Sequence, residues 1–216
     1  MQIEGSWRGK HVLITGASSG IGRSTALLLG AAGATVYLLA RRVFELEKVV
    51  SEIEGRGGRA VGIVCDIESA ADIIAAENQV SRATEELHVL INNAGITAHG
   101  RFDQSLPRVL RKTMEINFFA MTEVTRIFLP LLKKARRGQI LLVSTPTGLY
   151  GVPGRSAYAA SKAAGHAFMQ TLSMELKENN ISTHIFCPGL CANRSAQFWT
   201  CRRWRGAGGR AGERGN

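Results

Sequence analysis

The chain has 216 residues, 45% of them hydrophobic and 20% charged, which is the make-up of an ordinary globular domain with a sizeable core. No apolar run approaches the 18 or so residues of a membrane span, and Met1-Gln-Ile-Glu-Gly-Ser-Trp-Arg has no apolar leader region, so a cytoplasmic location is expected. The net charge of +10 would suit a nucleic-acid partner, but Arg194–Asn216 alone holds six arginines against Glu213, and the remainder carries 21 basic and 16 acidic residues; no nucleic-acid partner is expected.

In chain order, His11–Thr15 is a buried-type strand, followed by a glycine-rich turn and an apolar helix to about Gly30. Thr35–Ala40 is a second strand, and Val43, Leu46, Val49, Val50 and Ile53 line a helix stopped by Gly55. Ala60–Cys65 is a third strand, Ser69 opens a helix running to about Glu86, and His88–Ile91 is a fourth strand. A long helix is expected over 107–132, a fifth strand at Gln139–Val143, a long helix at Ser156–Glu178 and a sixth strand at Ser182–Cys187. The strands read as near-continuous apolar runs and alternate with helices, so the expected fold is α/β: a doubly wound, Rossmann-like parallel sheet with six recognisable strands and no seventh. Residues 1–193 form one domain in this reading, and 194–216 an Arg/Gly-rich tail expected to be disordered or loosely docked.

Three places carry chemistry. Gly16, Ser18, Ser19, Gly20, Ile21 and Gly22 join the first strand to the first helix, where glycines permit a tight turn and N–H groups at a helix N-terminus favour a pyrophosphate. The second strand ends in Ala40-Arg41-Arg42, not in an acid, and cations there suit a 2′-phosphate, favouring NADP(H) over NAD(H), although a solvated arginine pair would look the same. Asp66 either accepts from an adenine amino group or caps the following helix. Tyr158 and Lys162, four apart, lie on one helix face, where a cation favours the phenolate and is expected to lower the tyrosine's pKa toward working pH; a solvated helix face offers the same spacing. The cysteines, Cys65, Cys187, Cys191 and Cys201, form neither a CxxC pair nor a metal pattern and are read as reduced thiols; no metal is expected.

With TGASSGIG at 15–22, Asp66-Ile67, Asn92-Asn93-Ala94-Gly95, Asn117 in MEINFF, Val143-Ser144-Thr145, YAASK at 158–162 and Pro188-Gly189, the chain resembles the short-chain dehydrogenase/reductase family over about residues 8–190. The resemblance implies an oxidoreductase that moves hydride between NADP(H) and a carbonyl or secondary alcohol, with a steroid, retinoid or other lipid-like substrate as an extension. It implies Tyr158 as general acid/base, Lys162 as its partner and ribose holder, and Asn117 as the holder of a relay water. Asn93, Ala94 and Gly95, with Ile67, Pro188 and Gly189, would line the cofactor path, and a homodimer would form through the two long helices. The family's usual serine thirteen residues before the tyrosine is Thr145 here, with Ser144 one residue earlier as the less favoured substrate-binding hydroxyl. The threonine usual four residues after the Pro-Gly glycine is Asn193. The sequence after Gly189 matches none of the family's remaining pattern, which implies a shortened or frame-altered carboxyl end or a lineage-specific tail. An alternative function follows: a catalytically impaired relative acting as a binding or regulatory protein, or an aberrant product.

Overall fold

A computed structural model describes residues 7–188, and the calls on Gly189, Asn193, Cys191, Cys201, the 194–216 tail and a missing seventh strand lie outside the described residues. Six strands run in parallel: β1 (His11–Thr15), β2 (Thr35–Ala40), β3 (Arg59–Val64), β4 (Val89–Asn92), β5 (Gly138–Val143) and β6 (Ile181–Phe186). Their spatial order is β3-β2-β1-β4-β5-β6, so the order reverses between β1 and β4, and the carboxyl ends of those two strands open a crevice. The sheet is the doubly wound, Rossmann-like one that the alternation of strands and helices predicts.

Side-chain alternation along each strand builds two cores. Val12 and Ile14 of β1, with Val36 and Leu38 of β2, pack against α1 (Gly20–Ala31) and α2 (Val43–Glu54) through Leu29, Leu46, Val49 and Ile53. Leu13, Tyr37 and Leu90 point the other way, against α3 (Ala70–Ala83), α5 (Ala120–Lys134) and α6 (Ser156–Glu175), where Phe128 and Met169 are fully buried. Removing a side chain such as Phe128 from this layer would cost about 3–5 kcal/mol. The outer strands differ from the continuous apolar pattern: β3 buries only Ala60 and Ile63 and β6 only Ile181, and Val61, Val64 and Phe186 are exposed.

The long helix expected over 107–132 is not regular. It comprises α4 (Pro107–Met114), a π-helical turn at Glu115–Phe119, and α5, with Pro107 in the first turn and Pro130 inside α5. A π turn swells the helix by one residue, and here it carries Asn117 inward to 1% exposure. The helix expected to reach Glu178 ends at Glu175 and passes through a 3₁₀ turn to Asn180, whose left-handed φ of 55° turns the chain into β6. Ser69 caps α3 by accepting from the Asp72 N–H, so the capping role left open for Asp66 belongs to Ser69.

At the opposite end of the sheet from the crevice, three rings cluster, and that of His88 takes up a backbone N–H of β1. The His11 backbone N–H donates to His88 Nδ1 at 3.1 Å, and His11 Nδ1 lies 3.1 Å from the Tyr37 hydroxyl. Burial lowers the pKa of both histidines from 6.5; for His88 Lys10 adds to the shift, and Glu86 opposes it in both. The folded protein therefore holds fewer protons on these rings than the unfolded chain, so their contribution is complete above pH 6.5 and lost as pH falls below it. His88→Asn, which keeps an acceptor for the His11 N–H, is expected to lower the thermal midpoint at pH 7.5 by a gap that narrows on acidification to pH 5. A gap independent of pH would show that the rings do not titrate with folding.

Candidate functional site

The crevice forms because one side chain sews the β1 and β4 ends together. Thr15 Oγ1 accepts from the Asn93 and Ala94 N–H groups, both at 3.0 Å. The Asn93 amide nitrogen donates back to the Thr15 and Gly16 carbonyls at 2.9 and 3.1 Å. The glycine turn is packed so closely on this clamp that side chains are excluded. A Cβ on Gly16, whose φ is +65°, would lie 2.9 Å from Ala94 Cα; one on Gly22 would lie 2.5 Å from both Asn93 Nδ2 and the Gly16 carbonyl oxygen. Ser19 stands at the N-cap of α1 without a side-chain capping bond, and the first turn holds no acid, so its N–H groups stay available to an anion.

A cleft of about 280 Å³ runs from this turn across the strand ends, lined by Gly16, Ser18, Arg41, Arg42, Asp66, Ile67, Asn93, Ala94 and Gly95. Arg42 reaches over its mouth and donates to Ser18 Oγ at 3.1 Å and Ser19 Oγ at 2.9 Å. Arg41 instead pairs with Asp66 at 3.7 Å, both side chains being well exposed. Asp66 Oδ1 also accepts from the Glu68 N–H. The close-packed glycines, the uncapped helix start and the guanidinium over the turn fit a dinucleotide with its pyrophosphate at α1. Pro188 is the last described residue.

Deeper in, Asn117 ties three segments together. Its Oδ1 accepts from the Ile96 N–H at 2.8 Å, and its Nδ2 donates to the Ile96 carbonyl at 2.9 Å and to Ser161 Oγ at 3.0 Å. Gly95 must be glycine here, since a Cβ would come within 2.9 Å of Asn117 Oδ1 and 3.5 Å of Lys162 Nζ. Lys162 is 6% exposed and donates to the Val143 carbonyl at 3.1 Å. Burial lowers its pKa to about 8.

The expected effect of Lys162 on Tyr158 differs from what the structure shows. The ammonium stands 5.9 Å from the phenol ring centroid, held by the Val143 carbonyl, and the tyrosine's pKa is raised by burial. The opposing cation is Arg155, whose guanidinium is also 5.9 Å from the ring and is tethered to Thr97 Oγ1 and the Ala98 carbonyl. A low-polarity site disfavours phenolate and ammonium alike, so with the Nζ committed elsewhere desolvation dominates.

Ser144 and Thr145 separate as neighbours at a strand end should. Ser144 is 5% exposed and lies 2.6 Å from His166 Nε2, turned into the protein and already partnered. This placement works against the substrate-binding role given to it. Thr145 caps a 3₁₀ turn, Pro146–Gly148: its Oγ1 accepts from the Thr147 N–H and hydroxyl, which leaves its own hydroxyl proton to donate. Thr15 and Ser161 lie inside the TGASSGIG and YAASK runs but were given no role of their own, and Arg155 and His166 were not singled out, although His166 continues the 158/162/166 spacing along one helix face. Among the described residues no group of three or more His, Cys, Asp or Glu is placed to hold a metal, and no helix is long and apolar enough to cross a membrane. Gly22→Ala is expected to destabilise the fold by about 2 kcal/mol through overpacking, which calorimetry would record as a lower melting temperature; an unchanged midpoint would contradict the close packing of turn and clamp.

The family profile described as short chain dehydrogenase matches residues 10–203. Dehydrogenase/reductase SDR family member 7B of Mus musculus is 36% identical over 186 residues, covering 84% of this chain and 58% of that protein, so the chain spans under two thirds of this relative's length. A metagenomic short-chain oxidoreductase solved with NADP superposes with a TM-score of 0.81 at 33% identity, covering 86% of this chain and 84% of that one. A 7α-hydroxysteroid dehydrogenase solved with NADH and 7-oxo glycochenodeoxycholic acid gives a TM-score of 0.81 at 29% identity, covering 87% and 72%. A family profile that matches most of the chain, with a solved relative of the same fold at 33% identity, shows that the chain belongs to the short-chain dehydrogenase/reductase family, a family of oxidoreductases.

Proposed function

We propose that the protein interconverts a carbonyl and a secondary alcohol using NADP(H). The observation that carries the cofactor preference is Arg42, which bridges Ser18 and Ser19 at the mouth of the glycine turn with no acid at the end of β2 to compete for ribose hydroxyls. Solved neighbours hold either NADP or NADH, so the preference rests on this chain's own arginines. In this reading Gly16 to Gly22 receive the pyrophosphate at α1, Arg41 and Arg42 the 2′-phosphate, Asp66 and Ile67 the adenine side, and Asn93, Ala94, Gly95, Pro188 and Gly189 the rest of the path.

The bound nicotinamide supplies or accepts the hydride. Tyr158 works as the general acid/base at the substrate oxygen, and its raised pKa keeps the proton on the phenol at neutral pH, ready for donation to a carbonyl. Thr145 donates a second hydrogen bond to the same oxygen, polarising the carbonyl. Lys162 supplies a buried cation for the cofactor ribose and for the phenolate left after transfer, and Asn117 holds the β4–α4 connection and α6 in register through Ile96 and Ser161. The steroid- or lipid-like substrate class draws on the 7-oxo bile-acid complex of the neighbour named above.

A homodimer is part of the proposal. Leu106, Val109, Leu110, Met114 and Phe119 on α4 and the π turn face Ala157 and Ala160 of α6 across an apolar groove of about 910 Å³, with Phe102 at its rim 75% exposed. A second copy would bury this groove by bringing the same helices together about a twofold axis.

NADPH oxidation followed with a panel of ketones and aldehydes is expected to show turnover, which Tyr158→Phe reduces by at least about 10²-fold. Arg42→Ala is expected to weaken NADPH binding between about tenfold and a hundredfold and leave NADH unchanged, since one charge-assisted contact is worth about 1.5–3 kcal/mol. NADPH binding seen as thermal stabilisation without turnover of any carbonyl would favour the impaired relative instead. Light scattering is expected to give a dimer for the wild type and a monomer for Leu110→Glu, and a monomeric wild type would remove the dimer from the proposal.

A further inference from the structure

The stripe of α6 that carries Tyr158 and Lys162 continues one turn to His166, which is 5% exposed. Two segments distant in sequence converge on its ring: the end of β5 with the turn after it, and the residue after β6. Ser144 Oγ, at the end of β5, lies 2.6 Å from Nε2. Gly148, in the turn that follows, makes room for the ring: a Cβ there would stand 3.0 Å from Cε1 and 3.2 Å from Nε2. Cys187, the residue after β6, brings its Sγ within 4.0 Å of the same nitrogen. Ser144 is also held by its main chain, its N–H donating to the Phe186 carbonyl at 2.8 Å. The residue next to it is Thr145, whose hydroxyl faces the reacting atoms in the function proposed above.

We propose that His166 is a positioning residue, one that clamps Ser144, and with it the Thr145-bearing end of β5, to the catalytic helix one turn beyond Lys162. The inference rests on the reading of Tyr158, Lys162 and Thr145 as the reacting set. A hydroxyl and an imidazole buried together satisfy each other, and either one alone would be left with an unpaired polar atom out of water. Because Thr145 follows Ser144 directly, a shift of the clamp moves the donor aimed at the substrate oxygen, and misplacements on this scale are costly to rate.

The charge on the ring matters as well. Titratable groups face His166 from two sides: Lys162 from its own helix and the Cys187 thiol from the segment after β6; the end of β5 presents Ser144 and the 3₁₀ turn Gly148, neither of which titrates in this range. Burial and then Lys162 hold the imidazole below its ordinary value, so the ring is neutral at pH 7 and able to accept the Ser144 proton. Protonation sets a second cation beside Lys162 and forces Ser144 Oγ to accept instead.

The test compares wild type, His166→Leu and His166→Gln in kcat and KM from pH 5 to 8, with nitrogen-15 NMR of the ring in cofactor-free protein. His166→Leu is expected to lose between about tenfold and a hundredfold in kcat with an NADPH KM within about twofold of wild type. His166→Gln, whose amide still reaches Ser144, is expected to recover most of that loss and to lack the acid limb that wild type shows below pH 6.5. In the NMR arm, Ser144→Ala is expected to shift the His166 ring nitrogens, and the ring should titrate below 6.5. Equal losses in the two variants with the acid limb intact, or a ring indifferent to Ser144→Ala, would overturn the clamp. If wild type turns over no carbonyl, the proposed function falls while the NMR arm still decides whether the clamp exists.

Discussion

Everything at the crevice depends on the short set of hydrogen bonds between the Thr15–Gly16 corner and Asn93. β1 and β4 are neighbours in the sheet but far apart in the chain, and the connections leaving them turn to opposite faces. Carbonyls and N–H groups at the strand ends would be left without ladder partners there, and the Asn93 amide and Thr15 hydroxyl take their place. The clamp leaves no room for side chains on Gly16 or Gly22, which is why the α1 backbone can come close to a bound anion.

The second constraint is desolvation beneath the strand ends. Lys162, Tyr158 and His166 lie along one side of α6, and burial is the largest influence on each: downward for the two nitrogen bases, upward for the phenol. Each shift favours the neutral form, although at about 8 Lys162 still holds its proton at pH 7. Lys162 finds a partner in the Val143 carbonyl, and His166 finds one in Ser144.

Much of this was legible before any coordinates. The alternation of apolar runs with 3.6-period segments dictated a parallel α/β sheet, and all six strands fall within one residue of their expected bounds because short apolar runs closed by turn residues mark strand ends in local sequence. The glycine turn and the 158/162 pair were visible because their chemistry lies in local spacing. The π turn at 115–119 was not, since its sequence, EINFF, reads as ordinary helix and the Asn117 partners, Ile96 and Ser161, lie 21 and 44 residues away. The exposure of β3 was also missed, because exposure on one face depends on which strands sit outermost.

Residue order alone thus decided the identity of the elements, the position of the dinucleotide turn and the helix face bearing a phenol and an amine, since each depends on contacts within a few residues. Contacts across the chain decided what those groups experience. Arg42 is brought over Ser18 and Ser19 by the adjacency of β2 to the glycine turn; Ser144 and Thr145 are divided between interior and site by the pleat of β5 against α6. The fate of Tyr158 is the plainest case: four-residue spacing promises a cation beside a phenol, but the Val143 carbonyl, 19 residues before Lys162, is what holds the ammonium, and so burial alone sets the direction of the tyrosine's shift against Arg155. Spacing can place two groups on a face; how strongly they interact depends on the dielectric and the competing partners that the packed fold supplies.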